Sequence, residues 1–515
     1  MTKFNTKKES SKKPTLINHM EKAYSVESEL ELALTVLTSF IDNSYYESKN
    51  ETIQRLQELV QKCDPYFVAQ LAVYTRDKAN MRSSSHVLAG ILAKYLSTTF
   101  KDFYEKIVIR PDDMSEIVFY LSQNKDESFP NSMKKGFKSA LENLSNYQIA
   151  KYKMERDIKL VDLINLFHPK SKANNLHKLM KESVVADTWE VKLSEAGQIA
   201  ENDGELLSLK ADWESQLNSE YMPMMALVRN LKNIILQAPH MVDEVVKQLT
   251  NKEKVLNSRL LPFRFIQAYT VISELTIDEN SIDFSDKKTI ELKNLKTKIL
   301  DALEEAMNIS IDNLPDLQKV AILSDNSSMG GEYASSLKEN SFISSYSKVS
   351  TANIANLFAT MMYMKSSNNY VGLFDKLKSP TNLDKEKGIK NYIEMTRLAQ
   401  SCGGSTEEIY QFFRDIVKNE TKMDMIIVFS DCQINNQWYT SRKHYDSTGD
   451  FDKLFREFRK INPDTKVISV DLKHYSTVFN DGVLKIGWSN EIFNLVDKLK
   501  TDKDALLKEI KSIQI

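Results

Sequence analysis

Oxygen-bearing side chains gather in three short stretches of the second half of the chain. KVAILSDNSSMGGEY (Lys319–Tyr333) runs from an apolar segment, Val320–Ser324, straight into Asp325, Ser327 and Ser328, then paired glycines. SCGGSTEE sets Gly403 and Gly404 before Ser405 and Thr406, and FSDCQ carries Asp431. Two carboxylates and several hydroxyls, completed by water, are hard-oxygen chemistry suited to Mg²⁺ or another divalent cation. A polar turn leading into a helix, with no ion, is the competing reading. Cys402 and Cys432 flank two of these loops and read as small, partly buried residues.

A different chemistry is concentrated between Asn131 and Lys178. Ten Lys or Arg (Lys134, Lys135, Lys138, Lys151, Lys153, Arg156, Lys159, Lys170, Lys172, Lys178) stand against four acids, with His168 and His177 added. The chain as a whole carries a formal charge of −2, so this surplus of six is local. Such a patch attracts phosphates in a salt-dependent way. The alternative is a solvated helical face on which Lys151 pairs with Glu155 at i,i+4. YTRDKANMRSSSH (Tyr74–His86) is a second basic, hydroxyl-rich stretch, read as an interhelical loop in which Arg76, Lys78 and Arg82 meet phosphate oxygens, or in which a serine merely caps a helix. Arg229 and Arg264 lie inside otherwise apolar helices and are expected to be buried in pairs. Tyr and Phe follow helical spacing and are assigned to the core.

Other chemistries lack their motifs. The sequence has no Ser-His-Asp arrangement, no G-x-x-x-x-G-K-[ST] phosphate loop and no His-rich metal cluster, so no enzymatic activity is expected. Its three cysteines, Cys63, Cys402 and Cys432, have neither disulfide nor zinc spacing and fit a reducing, cytoplasmic setting. No run of eighteen apolar residues occurs, so no membrane span is expected. The start, MTKFNTKKESSKKPT, is basic without an apolar core and reads as a disordered arm over residues 1–15 rather than a signal peptide.

These residues must be held by two kinds of element. From Leu16 to Ile311 short amphipathic stretches such as ETIQRLQELVQKC, SHVLAGILAKYLSTTF and NSMKKGFKSALENL follow one another, with Pro65 and Pro130 at helix starts and no strand expected. That succession predicts stacked helix pairs, although no clean sequence period is present. From Asp316 the pattern changes. KVAILS, NYVGLFD, MDMIIVFSD and TKVISVDL read as strands alternating with helices, and NEIFNLVDKLK as the last helix. This predicts a parallel sheet covered on both faces, with Asp325 and Asp431 beyond the carboxyl ends of two strands.

The second half, residues 316–515, resembles the von Willebrand factor A domain, an α/β Rossmann-like fold whose metal is held by a D-x-S-x-S loop, a later Thr and a later Asp. On that pattern Asp325, Ser327, Ser405 and Asp431 are the ligands. Aligning the Ser-Met pair instead puts Ser324 and Asn326 in the first two places. The first half, residues 16–311, is similar to the TROVE module of the Ro ribonucleoprotein family, an all-α ring of HEAT-like repeats. MPMMALVRNLKNI (Met222–Ile234) resembles that family's MP-x-x-ALLRNL helix, and KYKMERDIKLVDLINLFHPK (Lys151–Lys170) the stretch joining a Lys-Tyr-Lys to its DLLRLSHLKP segment. TSFIDNSYYESKNE resembles an early segment of the family. The resemblance implies a non-catalytic RNA-binding protein, a monomeric ring. Small structured Y-like RNA would lie on the outer basic surface, single-stranded 3′ ends of misfolded RNA would enter the ring, and some relatives recruit a ribonuclease. Lys151 and His168 occupy its outer-surface RNA positions, but Glu155 stands where the family has a basic residue, with Arg156 beside it. The RNA contacts expected are Lys134, Lys135, Lys138, Lys151, Lys153, Arg156, His168, Lys170, Arg76, Lys78 and Arg82. The alternative function is a protein-interaction adaptor using the ion and the solenoid.

Overall fold

Two three-residue strands, β1 (Thr15–Ile17) and β2 (Glu21–Ala23), pair antiparallel ahead of the first helices, α1 (Ser28–Thr38) and α2 (Lys49–Val60). The expectation of no strand in this half is corrected here: three residues are too few to show a period of two. The computed structural model describes residues 15–17, 21–23, 28–38, 49–79, 81–93, 101–122, 129–152, 158–170, 176, 213–215, 217, 222–275, 287–317, 319–326, 350–367, 369–373, 383–399, 408–430, 451–472, 483–486, 492–501 and 504–515. They fall into a helical unit (65–315, 383–392 and 513–515) and a sheet unit (1–64, 316–382 and 393–512). Among the described residues no helix is long and apolar enough to cross a membrane.

Proline opens several helices of the helical unit, because its missing N–H is one the first turn cannot bond anyway. Pro65 starts α3 (Pro65–Asp77), Pro111 starts α6 (Pro111–Ser122), and Pro130 immediately precedes α7 (Asn131–Glu142). With α4 (Arg82–Leu92), α5 (Lys101–Ile107), α8 (Asn146–Lys151) and α9 (Leu160–Phe167), they stack in two rows: α3, α5 and α7 in one, α4, α6 and α9 in the other. This is the stacked-pair arrangement the amphipathic succession predicts. Between the rows Tyr104, Phe137 and Phe167 meet edge to face at 5.7 and 5.4 Å between centroids. α4 and α6 touch at Gly90, where an added Cβ would lie 2.2 Å from Tyr120 Cδ1.

The rest of the helical unit is α10 (Met224–Gln237), a 3-10 turn (Pro239–Met241), α11 (Val242–Leu249), α12 (Lys252–Ser258), α13 (Pro262–Ser273) and α14 (Lys287–Ile311). The long α14 supports α11, α12 and α13, and α13 packs on α10. Two remote pieces complete the unit. Gly388 N and Ile389 N donate to Asn308 Oδ1 and Glu304 Oε1 at 3.1 and 2.9 Å, and Gln70 Nε2 donates to Ile513 O at 2.8 Å.

In the sheet unit β3 (Val320–Ser324), β4 (Asn369–Leu373), β5 (Met425–Ser430), β6 (Lys466–Asp471) and β7 (Leu484–Ile486) run parallel in the order β4-β3-β5-β6-β7. The helices are α15 (Thr351–Lys365), α16 (Gly388–Ala399), which belongs to this unit from Ile393 on, α17 (Glu408–Lys418), α18 (Phe451–Ile461), α19 (Ile492–Thr501) and α20 (Ala505–Lys511). Period-two alternation assigns the faces. Ala321, Leu323, Ile426 and Val428 pack with Phe413, Phe455 and Phe458 of α17 and α18. On the other face Phe429 stacks on Phe358 of α15, which meets Phe493 of α19. Strand order reverses between β3 and β5, so the crevice beyond their carboxyl ends is the topological switch point.

Two expectations change. β7 and α20 were not legible, so NEIFNLVDKLK is not the last helix. Residues before Pro65 also group with the sheet unit instead of the helical run. The reason is α1: Leu30, Leu32, Ala33, Leu34, Val36 and Leu37 are all buried, and β7 and α20 cover them, with Lys511 bridging Glu29 at 2.6 Å.

Candidate nucleic-acid interface

Helix α7 sorts its side chains sharply. Ser132, Met133, Gly136, Phe137, Ala140 and Leu141 are buried, so Lys134 and Lys135 are left exposed and Lys138 half-exposed. Among the described residues none of these three lysines has a carboxylate partner. The nearby acids are engaged elsewhere: Glu105 Oε1 accepts from Ser139 Oγ at 3.0 Å, and Glu142 Oε1 from Lys170 N at 2.8 Å. That second bond sets the exposed Lys170 beside the end of α7. His168 ends α9 in the left-handed conformation, φ 48°, and is exposed. Histidine is among the few non-glycine residues that tolerate this region. The fold thus leaves Lys134, Lys135 and Lys138 on the outer side of α7, with exposed Lys170 beside its end and His168 at the end of α9, which packs on α7. Uncompensated ammonium groups so arranged can neutralise phosphate.

The Lys-Tyr-Lys motif begins on α8, which a Ser145–Gln148 capping box starts. Lys151 is its last residue, and nothing is described of that side chain; Lys153 and Arg156 lie outside the described residues, as does Glu155. Tyr152 terminates α8 with the Arg110 guanidinium 4.9 Å from its ring centroid. Sequence reasoning missed Arg110 altogether; nothing in IRPDD marks it as a neighbour of a motif forty residues on.

The Tyr74–His86 stretch does something other than expected. Arg76 is 4% exposed, and its Nε and Nη2 donate to Asp113 Oδ2 at 3.2 and 2.8 Å. Asp113, fully buried, also accepts from Arg82 Nε at 3.1 Å and from the Ile109 and Arg110 amides at 3.0 and 2.8 Å, with His86 Nε2 at 2.9 Å. Asp112 binds Arg82 at 2.7 Å and Arg110 at 3.2 Å. Burial alone would raise the Asp113 carboxyl, but His86 and Arg76 outweigh it and hold it well below the usual carboxylate range. The network pins α3, α4 and α6 together, with both acids at the positive N-terminus of α6. Arg76 is therefore corrected from a phosphate contact to a core ion-pair member. Arg82, partly exposed, is held by two carboxylates, and exposed Lys78 pairs with Asp77 at 3.1 Å. No serine caps α4: Met81 is its N-cap without a side-chain bond, and Ser84 and Ser85 are buried.

Arg229 and Arg264 also depart from expectation. Arg229 is exposed and Arg264 half-buried, and neither forms an ion pair among the described residues. Burial, and then Arg229 itself, push the Arg264 guanidinium below its ordinary value.

At the sheet's switch point Asp325 is fully buried; its N–H donates to Phe429 O and its Oδ2 accepts from Ser430 Oγ, both at 2.8 Å. Asp471, at the end of β6, is buried too. Ser324 and Asn326 are tied to Asn356 of α15: Ser324 Oγ donates to Asn356 Oδ1 at 2.8 Å, and the two amides exchange bonds at 3.1 and 2.9 Å. The register that starts at Ser324 therefore offers a cation neutral groups already in use, while Asp325 offers a buried hard oxygen. Ser327, Ser405 and Asp431 lie outside the described residues, as do Cys402 and Cys432. Among the described residues no three His, Cys, Asp or Glu side chains gather as a metal site. Cys63 is described, and burial, then Glu29 and Glu31, push its thiol up to about 11.

A helical-repeat unit with a lysine edge and a second unit built on a doubly wound parallel sheet are the class these observations define. The TROVE domain family model matches residues 19–198 and 178–290, more than half of the chain, and the chain belongs to that family. Its fold is similar to the crystal structure of the Deinococcus radiodurans RO (RSR) protein, with a TM-score of 0.58 and 13% identity over 94% of this chain and all of that one. Telomerase protein component 1 of Rattus norvegicus is 31% identical over 91 residues, and that of Mus musculus 33% over 92. The match takes in 17% of this chain and spans only 3% of those relatives' length. Family membership is consistent with an RNA-binding ribonucleoprotein.

Proposed function

We propose that this is a non-catalytic RNA-binding protein of the Ro type, acting in cytoplasmic RNA quality control or processing. Small structured RNA lies along the lysine edge of α7 and the His168–Lys170 turn. Single-stranded 3′ ends of misfolded RNA are held within a ring of the helical repeats. The observation that carries this reading is the trio Lys134, Lys135 and Lys138, set on one helix without a carboxylate partner among the described residues. Phosphates are what such a face neutralises, without reading sequence. Filter binding with a hairpin bearing a 3′ single-stranded tail is the test. Lys134→Gln with Lys135→Gln should weaken binding on the order of tenfold and lower the salt slope by about one per lysine. Affinity untouched by the pair would defeat the lysine edge as the RNA surface.

Buried Asp325 at the switch point favours a second reading. Here the sheet unit is a von Willebrand A-like module. Asp325, with Asp431, Ser327 and Ser405, holds Mg²⁺ or another divalent cation, which would supply positive charge for a carboxylate of a protein partner such as a ribonuclease. Calorimetric titration of Mn²⁺ into the wild type and Asp325→Ala tests this. Absence of heat in the wild type removes the ion and leaves the RNA reading untouched.

A further inference from the structure

Helices α10 and α13 pack together, and neither MMALVRNLKNIILQ nor PFRFIQAYTVIS contains an acid. Arg264 sits in the first turn of α13, its guanidinium 4.6 Å from the Phe263 ring centroid and its Nη1 donating to the neutral Gln267 Oε1 at 3.2 Å. Three features of its surroundings disfavour its charge there. The side chain is half out of water, Arg229 of α10 is close enough to repel it, and the N-terminus of α13 is itself positive. Among the described residues no acid pairs with it, whereas Arg76, in the last turn of α3, receives a buried carboxylate. One turn beyond Arg229, exposed Lys232 also lacks an ion pair among the described residues. It extends the charge along α10 at the spacing of i,i+3 neighbours. A track of that kind suits a chain of phosphates better than one small ion, and the planar guanidinium fork matches phosphate oxygens.

We propose that Arg229 and Arg264, with Lys232 as an outer contact, form an anion site that takes phosphodiester groups of a single RNA strand, distinct from the lysine edge of α7. The inference rests on the RNA reading above and assigns that reading a second site. An incoming phosphate removes the repulsion and complements the helix N-terminus.

Fluorescence anisotropy of a labelled oligouridylate with the full-length protein is the test. Arg264→Gln and Arg229→Gln should each weaken binding about tenfold, as for loss of one charge-assisted contact. Together they should lower the log–log salt slope by about 1.4, or ~0.7 per contact on a single strand. Arg264→Gln should keep or raise the thermal midpoint, because a repelled charge has gone. A lower midpoint with unchanged affinity would make Arg264 structural and overturn the site. Inorganic phosphate binding as tightly as the oligonucleotide would overturn the strand assignment. If the wild type binds neither hairpin nor oligouridylate, the RNA reading itself fails. If hairpin binding depends on Lys134 and Lys135 while oligouridylate ignores Arg229 and Arg264, only this second site falls.

Discussion

Arg76 and Arg264 occupy helices of the same unit, and both are at least half withdrawn from water, yet their surroundings are electrostatic opposites. Arg76 faces a buried carboxylate that three cationic or polar side chains and two amides share. Arg264 faces another arginine and a helix N-terminus. The first arrangement is complete within the protein and has nothing left for a ligand. The second has no acid among the described residues. The identity of the residue therefore says little about its task; what decides is whether the fold brings an acid to it. The lysine edge of α7 belongs with Arg264 in this respect, and Arg82 stands between the two, partly exposed yet held by Asp112 and Asp113.

The sharpest way to break the contrast is Asp113→Ala. Leaving two arginines and a histidine around an emptied buried site should cost about 3–5 kcal/mol in a urea titration. A loss below 1 kcal/mol would put Arg76 with the surface cations. Acid should remove part of the same energy. The native Asp113 carboxyl is depressed, so its contribution is fully present above the unfolded value of about 3.9 and is lost as pH falls below it toward the native value. The stability gap between wild type and Asp113→Asn should accordingly narrow below about pH 4; a gap that widened would contradict the sign. Gly90→Ala should cost about 1–3 kcal/mol by overpacking against Tyr120, since α4 must stay close to α6 for the network to form. Smallest of all, Lys134→Gln with Lys135→Gln should move stability by no more than about 0.5 kcal/mol, because among the described residues these lysines have no partner to lose. A larger drop would place them with Arg76.

Local chemistry was readable in the sequence wherever neighbours in the chain supplied it. Pro65 and Pro130 marked helix starts, the short apolar runs Val320–Ser324 and Met425–Ser430 marked buried parallel strands, and the apolar spacing of Asn131–Glu142 pushed Lys134 and Lys135 outward. Three-residue β7 gave no period to read, and α1 showed a buried stripe without saying what would cover it.

What YTRDKANMRSSSH could not disclose is that its acids lie in RPDD, some thirty residues away, so a buried ion network read as a basic loop. Arg264 failed in the other direction. The absence of acid from both helices is plain in the sequence, but its consequence appears only once α10 and α13 are neighbours. Residue type, helical period and the local charge surplus were fixed by the chain alone. Which cations are neutralised and which stay available was decided by tertiary packing, because electrostatic compensation depends on distance in space and not along the backbone.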